Sequence, residues 1–558
     1  MPFAIVKNFG TGGISTDPFE ENRDSNQWEI LANIDLVAGD ISACGQDIQQ
    51  GSQCPITPKW MFSFSAAGVD YLFISDGGSV YATSGGSWTM LISGWDGGLV
   101  TFAVFLGSLI VNSHTNGPFY WDRNQSINDD SWVTGQNITW NQESVQVWAT
   151  TQFSNLLPLP GWFPNGTCLQ MVAYRNFLVA IGVNDPARSP SLSPYLICWS
   201  DAAPAGGIPS TWDPLPTNVA GDTLVQDTPG SVGGGATMRN DLIIYKTDGA
   251  VYRISFVERS DLIMHTERLY QGYGVDYPGA IAELSGVHYL TTRSGIMSFN
   301  GQTMTELDFG RLQESVRAMF RSASDSITSV SSYPGRKQIW VAYRRSADEP
   351  YFGILKYDVT QNAYSVSNFS GKGLTSICYG SVGSAFVGST DAWATGPDEP
   401  WATGSDDAWA SSISDPLLDT MFMAVGGDTE SSNSIVVRYE PSGGPKWYDG
   451  SNKVPRAVRY GIRLSENPGR TIIKGLYPLA RGSATLKIRL GHSWAPWQAN
   501  GPTSVAWGEP RSFRPGIDRF LPMRSIGEVF AIEIQSDDGL PWSLAGFGIE
   551  FDTLGARG

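Results

Sequence analysis

Four histidines are the residues of this chain best suited to acid–base chemistry, and none lies in a pattern that would support it. They are His114, His265, His288 and His492. Nucleophilic catalysis needs a base beside an activated serine or cysteine, yet the sequence has no Gly-x-Ser-x-Gly elbow, and no Gly-x-x-x-x-Gly-Lys phosphate loop either. His288 falls inside an apolar strand pattern and is interpreted as a hydrogen-bonded core residue. The sequence therefore predicts no enzymatic activity.

Carboxylates could serve glycoside hydrolysis, but 54 Asp and Glu residues make any one pair uninformative. The turns Ser75–Ser79 and Ser84–Trp88 are near the Asp-box turns of sialidases without having the full Ser-x-Asp-x-Gly-x-x-Trp pattern. A propeller-type glycan-binding adhesin or glycoside hydrolase is therefore kept as the alternative function. The chain also lacks the paired Cys or His spacing typical of metal sites, so no metal and no cofactor is predicted.

The five cysteines indicate no disulfide framework, because they are few and odd in number. Cys44 and Cys54 are close enough in sequence to pair, and the sequence leaves that pairing open. Cys198 and Cys378 lie in apolar strand patterns, where a buried free thiol is the ordinary case.

The elements that would position any functional residue are β-hairpins repeated along the chain. Leu242–Tyr245, the turn Thr247–Gly249 and the alternating run Ala250–Ile254 form one unit, and Val287–Leu290 with Ile296–Phe299 forms the next. Similar hairpins are predicted in the ranges 70–82, 102–121, 169–200, 338–358 and 375–386. Repetition of such a unit at a spacing of about 45 residues is typical of a β-propeller. A β-sandwich with many hairpins is the rival interpretation.

The composition agrees with a β-rich chain. It has 63 Gly, 20 Trp, 21 Tyr and 25 Phe, and only 16% charged residues. One helix is predicted, in Gly310–Ser324, where Leu312, Val316, Met319 and Phe320 share a face. There is no apolar run long enough to span a bilayer and no secretory pattern at the N-terminus, so we expect folding in a cytoplasm without membrane insertion.

The predicted fold is all-β, with a β-propeller that carries loop insertions and a C-terminal β-sandwich platform-like domain. The expected regions are an N-terminal arm with the first strands (1–55), the propeller (56–445) and the sandwich (446–558). Within the propeller, residues 124–160 are interpreted as a distal tip or fibre-docking insertion.

A low-complexity loop over residues 389–412 repeats one short unit around Trp393, Trp401 and Trp409, each near Asp or Glu. Because Trp side chains dominate interface energetics, the loop is either an anchor for a partner or a loop whose Trp residues pack on the blade below.

Charge is distributed unevenly along the chain. The net charge is −17, but residues 446–558 contain 15 Lys and Arg against 10 Asp and Glu, which gives +5 there and −22 elsewhere. In Arg456–Arg463 and Leu486–Leu490, apolar and basic residues alternate, which predicts strands with one buried and one basic face. An acidic body argues against a protein that grips phosphates, and fits either a wall past which DNA slides or simple solubility.

Several blocks, in their order, resemble the tail nozzle proteins of short-tailed bacteriophages (tail tubular protein B-like, packaged-DNA stabilisation proteins). Gly10–Pro18 with Trp28–Asp40 resembles the family's opening, and Asn240–Gly301 resembles its central run, which ends here in Tyr-Leu-Thr-Thr-Arg-Ser-Gly-Ile-Met-Ser-Phe-Asn-Gly. Trp507–Arg511 and Gly546–Phe551 resemble its ending.

This resemblance implies a structural virion protein of the viral tail, assembled in the host cytoplasm. The chain would form a homohexameric ring below the portal and the head-to-tail adaptor ring, would extend the DNA channel, and would retain packaged DNA until ejection. Its further expected partners are tail fibres or spikes, and double-stranded DNA that passes without specific binding. The family is structural, so no catalytic residue would carry over.

A basic face of the C-terminal domain would then dock on an acidic partner. The expected docking residues are Arg456, Arg459, Arg463, Lys487, Arg489, Arg511, Arg514 and Arg524. The alternative is that some of these arginines only pair with Glu509, Asp518 or Glu528 inside the domain.

Overall fold

The structure is a computed structural model, and it describes most of the chain. The described residues are 3–16, 24, 26–66, 69–121, 138–140, 143–145, 156–187, 194–204, 207–257, 263–308, 310–312, 314, 316, 329–343, 353–369, 371–381, 419–426, 434–464, 470–494 and 505–553. Regular structure in these residues is almost entirely β, which confirms the predicted all-β class. Within the described residues, helical structure is confined to the short α1 (Phe9–Gly12), the 3-10 turns Pro278–Ala280 and Pro334–Arg336, and helical geometry at residues 314 and 316.

Five strands precede the propeller blades. They are β1 (Phe3–Lys7), β2 (Ile30–Ala32), β3 (Ile34–Val37), β4 (Asp40–Ala43) and β5 (Gln46–Gln50).

Seven four-stranded antiparallel blades follow in the described residues. The first three are β6 (Trp60–Ala66), β7 (Val69–Ser75), β8 (Ser79–Thr83) and β9 (Thr89–Ser93); β10 (Val100–Phe105), β11 (Ser108–Ser113), β12 (Gly117–Trp121) and β15 (Leu157–Pro158); and β16 (Thr167–Tyr174), β17 (Phe177–Asn184), β18 (Leu196–Trp199) and β19 (Gly221–Leu224). A separate hairpin, β13 (Ile138–Trp140) and β14 (Glu143–Val145), lies between β12 and β15 in sequence.

The other four blades continue the series. They are β20 (Val232–Met238), β21 (Asp241–Lys246), β22 (Ala250–Phe256) and β23 (Met264–Gln271); β24 (Ile281–Leu284), β25 (Val287–Thr292), β26 (Gly295–Phe299) and β27 (Met304–Glu306); β28 (Ser329–Tyr333), β29 (Gln338–Tyr343), β30 (Gly353–Asp358) and β31 (Ala363–Asn368); and β32 (Ser376–Gly380), β33 (Thr420–Val425) and β34 (Ile435–Glu440), completed by β5.

The blades close into a ring. The first strand of each blade contacts the first strand of the next, and β32 of blade seven contacts β6 of blade one. The outermost strand of blade seven is β5, so a strand from the N-terminal region closes the ring by pairing with β34. The β-propeller prediction is thereby confirmed.

The pattern of apolar residues in the blade strands follows from this packing of blade against blade. The central strands are buried on both faces by the neighbouring blades, which is why β21 has an apolar run, Leu242–Tyr245, instead of alternation. The Asp248-Gly249 turn then joins β21 to β22. Gly249 has φ +89°, and a Cβ there would lie 2.0 Å from the carbonyl oxygen of Gly272, so only glycine fits.

The last strands build a β-sandwich together with the first ones. They are β35 (Arg456–Ile462), β36 (Thr471–Gly482), β37 (Leu486–Ser493), β38 (Ala506–Trp507), β39 (Arg511–Phe513), β40 (Leu521–Gly527), β41 (Val529–Gln535) and β42 (Trp542–Thr553).

Two sheets form this sandwich. The outer sheet has the order β3-β4-β42-β36-β40, with β1 also paired to β42. The bridging sheet contains β2, β35, β41, β37, β38 and β39, and it continues into blade six because β2 pairs in parallel with β31 at Ala32 and Val366. A shared apolar core fills the space between the two sheets and reaches blades five and six, for example through Leu476, Ile534 and Leu355. Propeller and sandwich are therefore joined by both hydrogen bonds and core packing.

The single predicted helix is only partly within the described residues. Leu312 and Val316 are buried, and the Val316 amide donates to the Leu312 carbonyl at 2.8 Å, as in an α-helical turn. Met319 and Phe320 lie outside the described residues.

Candidate functional site

A buried group of charges lies where the propeller meets the sandwich, and we call it the junction cluster: Asp35, Arg336, Lys356 and Tyr439. Asp35, in β3, is 2% exposed and accepts hydrogen bonds from Lys356 Nζ at 2.8 Å and from the Arg336 guanidinium at 2.9 Å. The Tyr439 hydroxyl donates to the same carboxylate. Asp35 belongs to the sandwich, Arg336 and Lys356 to blade six, and Tyr439 to blade seven, so one carboxylate connects three parts of the fold.

The junction cluster is electrostatically matched. Burial by itself would raise the pKa of Asp35, but the attraction of Lys356 and Arg336 and the hydrogen bonds to the carboxylate outweigh burial and lower that pKa. The Lys356 ammonium, itself only 2% exposed, lies 4.5 Å from the centre of the Trp340 ring and 4.6 Å from that of Tyr439. Asp35 and Lys356 are too enclosed to meet a substrate from solvent, whereas the Arg336 side chain is 24% exposed.

A second buried ion pair holds the strand that closes the ring. Lys453 donates to Asp47 Oδ1 at 2.7 Å and to the Gly45 carbonyl at 3.0 Å, and its ammonium lies 4.7 Å from the Trp447 ring centre. Burial raises the pKa of Asp47, and Lys453 offsets only part of that effect. Because Asp47 belongs to β5 and Lys453 precedes β35, this pair connects ring closure to the segment that enters the sandwich.

The outer sheet has an exposed apolar surface, which we call the aromatic face: Phe3, Ile5, Tyr477, Leu479 and Phe520. The Phe3 and Tyr477 ring centres are 5.6 Å apart, and those of Tyr477 and Phe520 are 4.8 Å apart. Phe520 is 37% exposed, and Phe3, Ile5 and Leu479 are more exposed still. A continuous apolar surface formed by several strands indicates an interaction site, whereas single exposed apolar residues do not.

Two glycines form the floor of the aromatic face. A Cβ at Gly548 would lie 2.3 Å from the Phe3 ring, and a Cβ at Gly475 would lie 2.2 Å from the Phe520 ring. The two rings therefore lie directly against the backbone of β42 and β36. This arrangement flattens the face and keeps the rings in place without enclosing them.

Basic residues are also exposed on the strands and loops of the outer sheet. They are Lys7, Arg481, Arg519 and Arg524. Among acidic residues on the same sheet, Glu550 accepts a hydrogen bond from the Tyr477 hydroxyl at 3.3 Å, and Asp552 pairs with Lys474 at 2.6 Å. The outer sheet therefore carries both basic and acidic side chains, and of these Glu550 contacts the aromatic face directly.

Several members of the predicted docking set have partners inside the sandwich. Arg456 and Arg489 both bind Glu533, and Arg459 is buried with its guanidinium donating to the Gln27 carbonyl. Lys487 pairs with Asp537 at 2.5 Å.

The remaining members lie nearer the surface. Arg514 pairs with Asp518 at 3.3 Å, which is one of the internal pairs that the sequence offered as an alternative. Arg463, Arg511 and Arg524 are exposed. The eight residues therefore do not form one continuous basic face, and their role in docking stays a prediction.

His288 and the five cysteines are structural in their surroundings. His288 is fully buried, with Nδ1 2.8 Å from the Tyr245 hydroxyl and Nε2 3.0 Å from the Thr237 carbonyl. All five cysteines are buried free thiols, so Cys44 and Cys54 are not paired. Burial raises the pKa of Cys44 to about 11 and that of Cys54 to about 12, which makes both thiols poor nucleophiles.

The described part of the chain offers neither a metal cluster nor a membrane-spanning helix. No group of three or more His, Cys, Asp or Glu side chains there could hold a metal ion. No helix there is long and apolar enough to cross a membrane.

The predicted interaction loop falls outside the described residues, including Trp393, Trp401 and Trp409. The loop connects β32 to β33 in blade seven. The predicted insertion 124–160 follows β12 of blade two and includes β15, and only β13, β14 and residues 156–160 of it are described.

One open cleft lies at the rim of the propeller, between the outer strands of blades three and four. It has a volume of about 590 Å³ and is lined by β19, the start of β23 and the loop around Leu215. Its titratable lining residues are Asp222 and His265.

Sequence reasoning missed the junction cluster and the aromatic face, although each left a signal. Lys356 stands inside the apolar run of β30, and a lysine that cannot reach water needs buried acceptors, which here include the Asp35 carboxylate. In Phe3–Lys7, apolar residues at alternate positions face solvent in the structure, which is the reverse of an ordinary edge strand.

Neither a protein-family model nor a curated protein sequence matches this chain. Solved structures do match. They include the β-propeller domain of Cps50 (Swd1) from Myceliophteria thermophila, with 9% identity, 72% of this chain and 99% of that chain covered, and a TM-score of 0.35. They also include the WD40 repeats of RRP9, with 8% identity, 71% and 99% coverage, and a TM-score of 0.38.

The identification with tail nozzle proteins is corrected by these comparisons, because the matching structures are WD40-type β-propellers and not tail proteins. The physical reason lies in the motifs that carried the resemblance. Asn240–Gly301 forms the hairpins of blades four and five, and an apolar strand, a tight glycine turn and an alternating strand are what any propeller blade requires. What this chain shares with the matched structures is its fold, an all-β architecture with a β-propeller.

Proposed function

We propose that this chain is a non-catalytic structural protein that assembles into multi-copy complexes through its sandwich. The observation that carries the proposal is the aromatic face: a flat apolar surface on a sheet fixed to the propeller by the junction cluster. Such a rigid connection suits a protein that transmits position between partners, because no hinge separates the docking surface from the propeller.

The uneven distribution of charge along the chain supports a second copy of this chain as the partner that binds the aromatic face. Exposed basic residues such as Arg519 and Arg524 lie on the strands and loops of the same sheet as the aromatic face, whereas residues 1–445 have a net charge of −22. Contact of the basic C-terminal residues 446–558, with a net charge of +5, with the acidic region of the next copy makes a heterologous interface, and such interfaces form rings when the rotation closes. A six-copy conduit for DNA stays a prediction.

The mass of the purified protein in solution tests the proposal. The chain has a mass of 60.5 kDa, so a closed ring of six would have about 360 kDa. We expect light scattering to give a multiple of the chain mass, and the double variant Leu479→Glu/Phe520→Glu to shift it to one copy. Val104→Glu is the matched control, because Val104 is a similarly exposed apolar residue on the propeller.

A single copy at every concentration would overturn the proposal. So would a double variant that assembles as well as the Val104→Glu control. Hydrolysis of a glycan by the purified chain would favour the alternative of a glycoside hydrolase, and glycan affinity without turnover would favour an adhesin.

A further inference from the structure

The bridging sheet carries a second arrangement of charges on its outer surface, which we call the clamp: Arg456, Glu533 and Arg489. Arg456 Nε donates to Glu533 Oε1 at 2.6 Å, and Arg489 Nε donates to Glu533 Oε2. The carboxylate is only 4% exposed, but the two arginine side chains are 39% and 34% exposed. The anion is thus enclosed while both of its cations reach the surface.

Strand register sets this geometry. Glu533 in β41 lies directly opposite Arg489 of β37 and opposite Val458 of β35, and Arg456 is two residues before Val458. The two guanidinium groups therefore approach one carboxylate from the two neighbouring strands. Cross-strand pairs of opposite charge stabilise such a sheet.

An aromatic support fixes one side of the clamp. The Arg489 guanidinium carbon lies 4.5 Å from the centre of the Trp507 ring, and Trp507 contacts Tyr460 edge-on at 6.0 Å. A guanidinium held between an indole and a carboxylate loses little further freedom when it binds a ligand.

Each guanidinium uses its Nε for Glu533, and its terminal N–H groups take no part in those hydrogen bonds. In the part of the chain that the structure describes, no other hydrogen bond or ion pair is formed by Arg456 or Arg489. The clamp itself has one carboxylate and two guanidinium groups, a net charge of +1. The neighbouring Lys487 is neutralised by Asp537.

We propose that the clamp binds one oxyanion group, a carboxylate or a phosphate, through the guanidinium edges that Glu533 leaves free. Guanidinium groups recognise both of these anions through paired N–H donors. Glu533 acts as a positioning residue, because it sets the distance and orientation of the two arginines. The clamp lies on the bridging sheet and not on the outer sheet, so the proposal does not depend on assembly through the aromatic face.

Calorimetric titration of the full chain tests the proposal with two probes, hexaglutamate for the carboxylate and inorganic phosphate for the phosphate. At about 0.15 M salt, where distant surface charges are screened, we expect saturable binding of at least one probe. The double variant Arg456→Gln/Arg489→Gln should weaken that binding by roughly tenfold or more. Arg489→Lys keeps the charge but lacks the paired donors, and should weaken binding by a smaller factor.

The matched control is Arg514→Gln, which removes a guanidinium from another ion pair of the sandwich and should leave binding unchanged. Circular dichroism during heating shows whether each variant folds. If the double variant does not fold, the single variant Arg489→Lys takes its place in the binding titration. Absence of saturable binding for both probes would overturn the proposal, as would equal losses in the control and the clamp variants. Binding of hexaglutamate alone identifies a carboxylate ligand, and binding of phosphate alone identifies a phosphate.

Discussion

The junction cluster and the clamp use the same chemistry in two places. In each, one carboxylate accepts hydrogen bonds from two cations supplied by neighbouring strands or blades, and a cation lies over an aromatic ring. Asp35 and Lys356 form the core of the first arrangement, and Glu533 and Arg489 the core of the second.

They differ in how far the cations are removed from water. Lys356 is 2% exposed, whereas the clamp arginines are more than a third exposed. Coulomb attraction grows in a low dielectric, but so does the penalty for any charge that loses its partner. A buried network of this kind therefore fixes the fold, while a half-buried one retains donors for a ligand.

The largest expected effect comes from Asp35→Ala. The change leaves Lys356 charged, enclosed and without its carboxylate, and we expect the free energy of unfolding to fall by about 3–5 kcal/mol. Denaturation in urea measures it. The control is Asp552→Ala, whose partner Lys474 is partly exposed and where the loss should stay within about 1 kcal/mol. Equal losses at the two positions would contradict the role given to burial.

A smaller loss, of about 1–2 kcal/mol, is expected for Arg489→Ala. Glu533 keeps its hydrogen bond to Arg456, so the carboxylate is not left alone, and the change removes one hydrogen bond and the contact with Trp507. The same urea titration applies. A loss as large as that of Asp35→Ala would mean that the clamp is as structural as the junction cluster, and would weaken the case for a ligand.

The pH dependence of stability should distinguish two aspartates near the junction. The pKa of Asp35 is lowered in the folded chain, so its contribution is present above its ordinary value of 3.8 and is lost as the pH falls through the folded pKa. The pKa of Asp47 is raised, so its contribution is fully present below 3.8 and is lost as the pH rises through the folded pKa.

Unfolding measured between about pH 3 and pH 7 checks both signs. Relative to the unchanged chain, Asp35→Asn should lose more stability at neutral pH than in acid. Asp47→Asn removes a proton-binding group of the folded state, so the acid stabilisation that Asp47 gives should disappear. Parallel curves for the two variants would show that the two carboxyl groups do not differ in this way.

The propeller could be predicted from sequence because its signal is local. Each blade is a hairpin with its own turn, such as Asp248-Gly249, and the repeat is visible without knowing which strands meet. The composition of the sandwich could not be predicted in the same way. The parallel pairing of Ala32 with Val366 joins strands more than three hundred residues apart, and no local pattern in either strand specifies the other.

The candidate sites show the same limit. The basic alternation in Arg456–Arg463 and Leu486–Leu490 correctly predicted strands there, β35 and β37, but β35 does not have one buried and one basic face, because Arg459 is buried. The alternation did not indicate that Glu533 lies between two of the basic side chains, because that depends on the register of β41 against both neighbours. Sequence periodicity assigns a residue to a face, but only pairing decides which charges on that face are already satisfied.

The smallest expected effect is that of Lys487→Gln. It tests whether the distance between two charges, or their exposure to solvent, determines what an ion pair contributes to stability. Lys487 and Asp537 are 2.5 Å apart, closer than the 2.8 Å between Lys356 and Asp35, yet their side chains are 39% and 52% exposed. Water solvates both groups when the pair opens, so Lys487→Gln should change the free energy of unfolding by less than about 0.5 kcal/mol in the urea titration. If Lys487→Gln destabilised the chain as much as Arg489→Ala, the separation of the charges, and not their exposure, would determine what these pairs contribute.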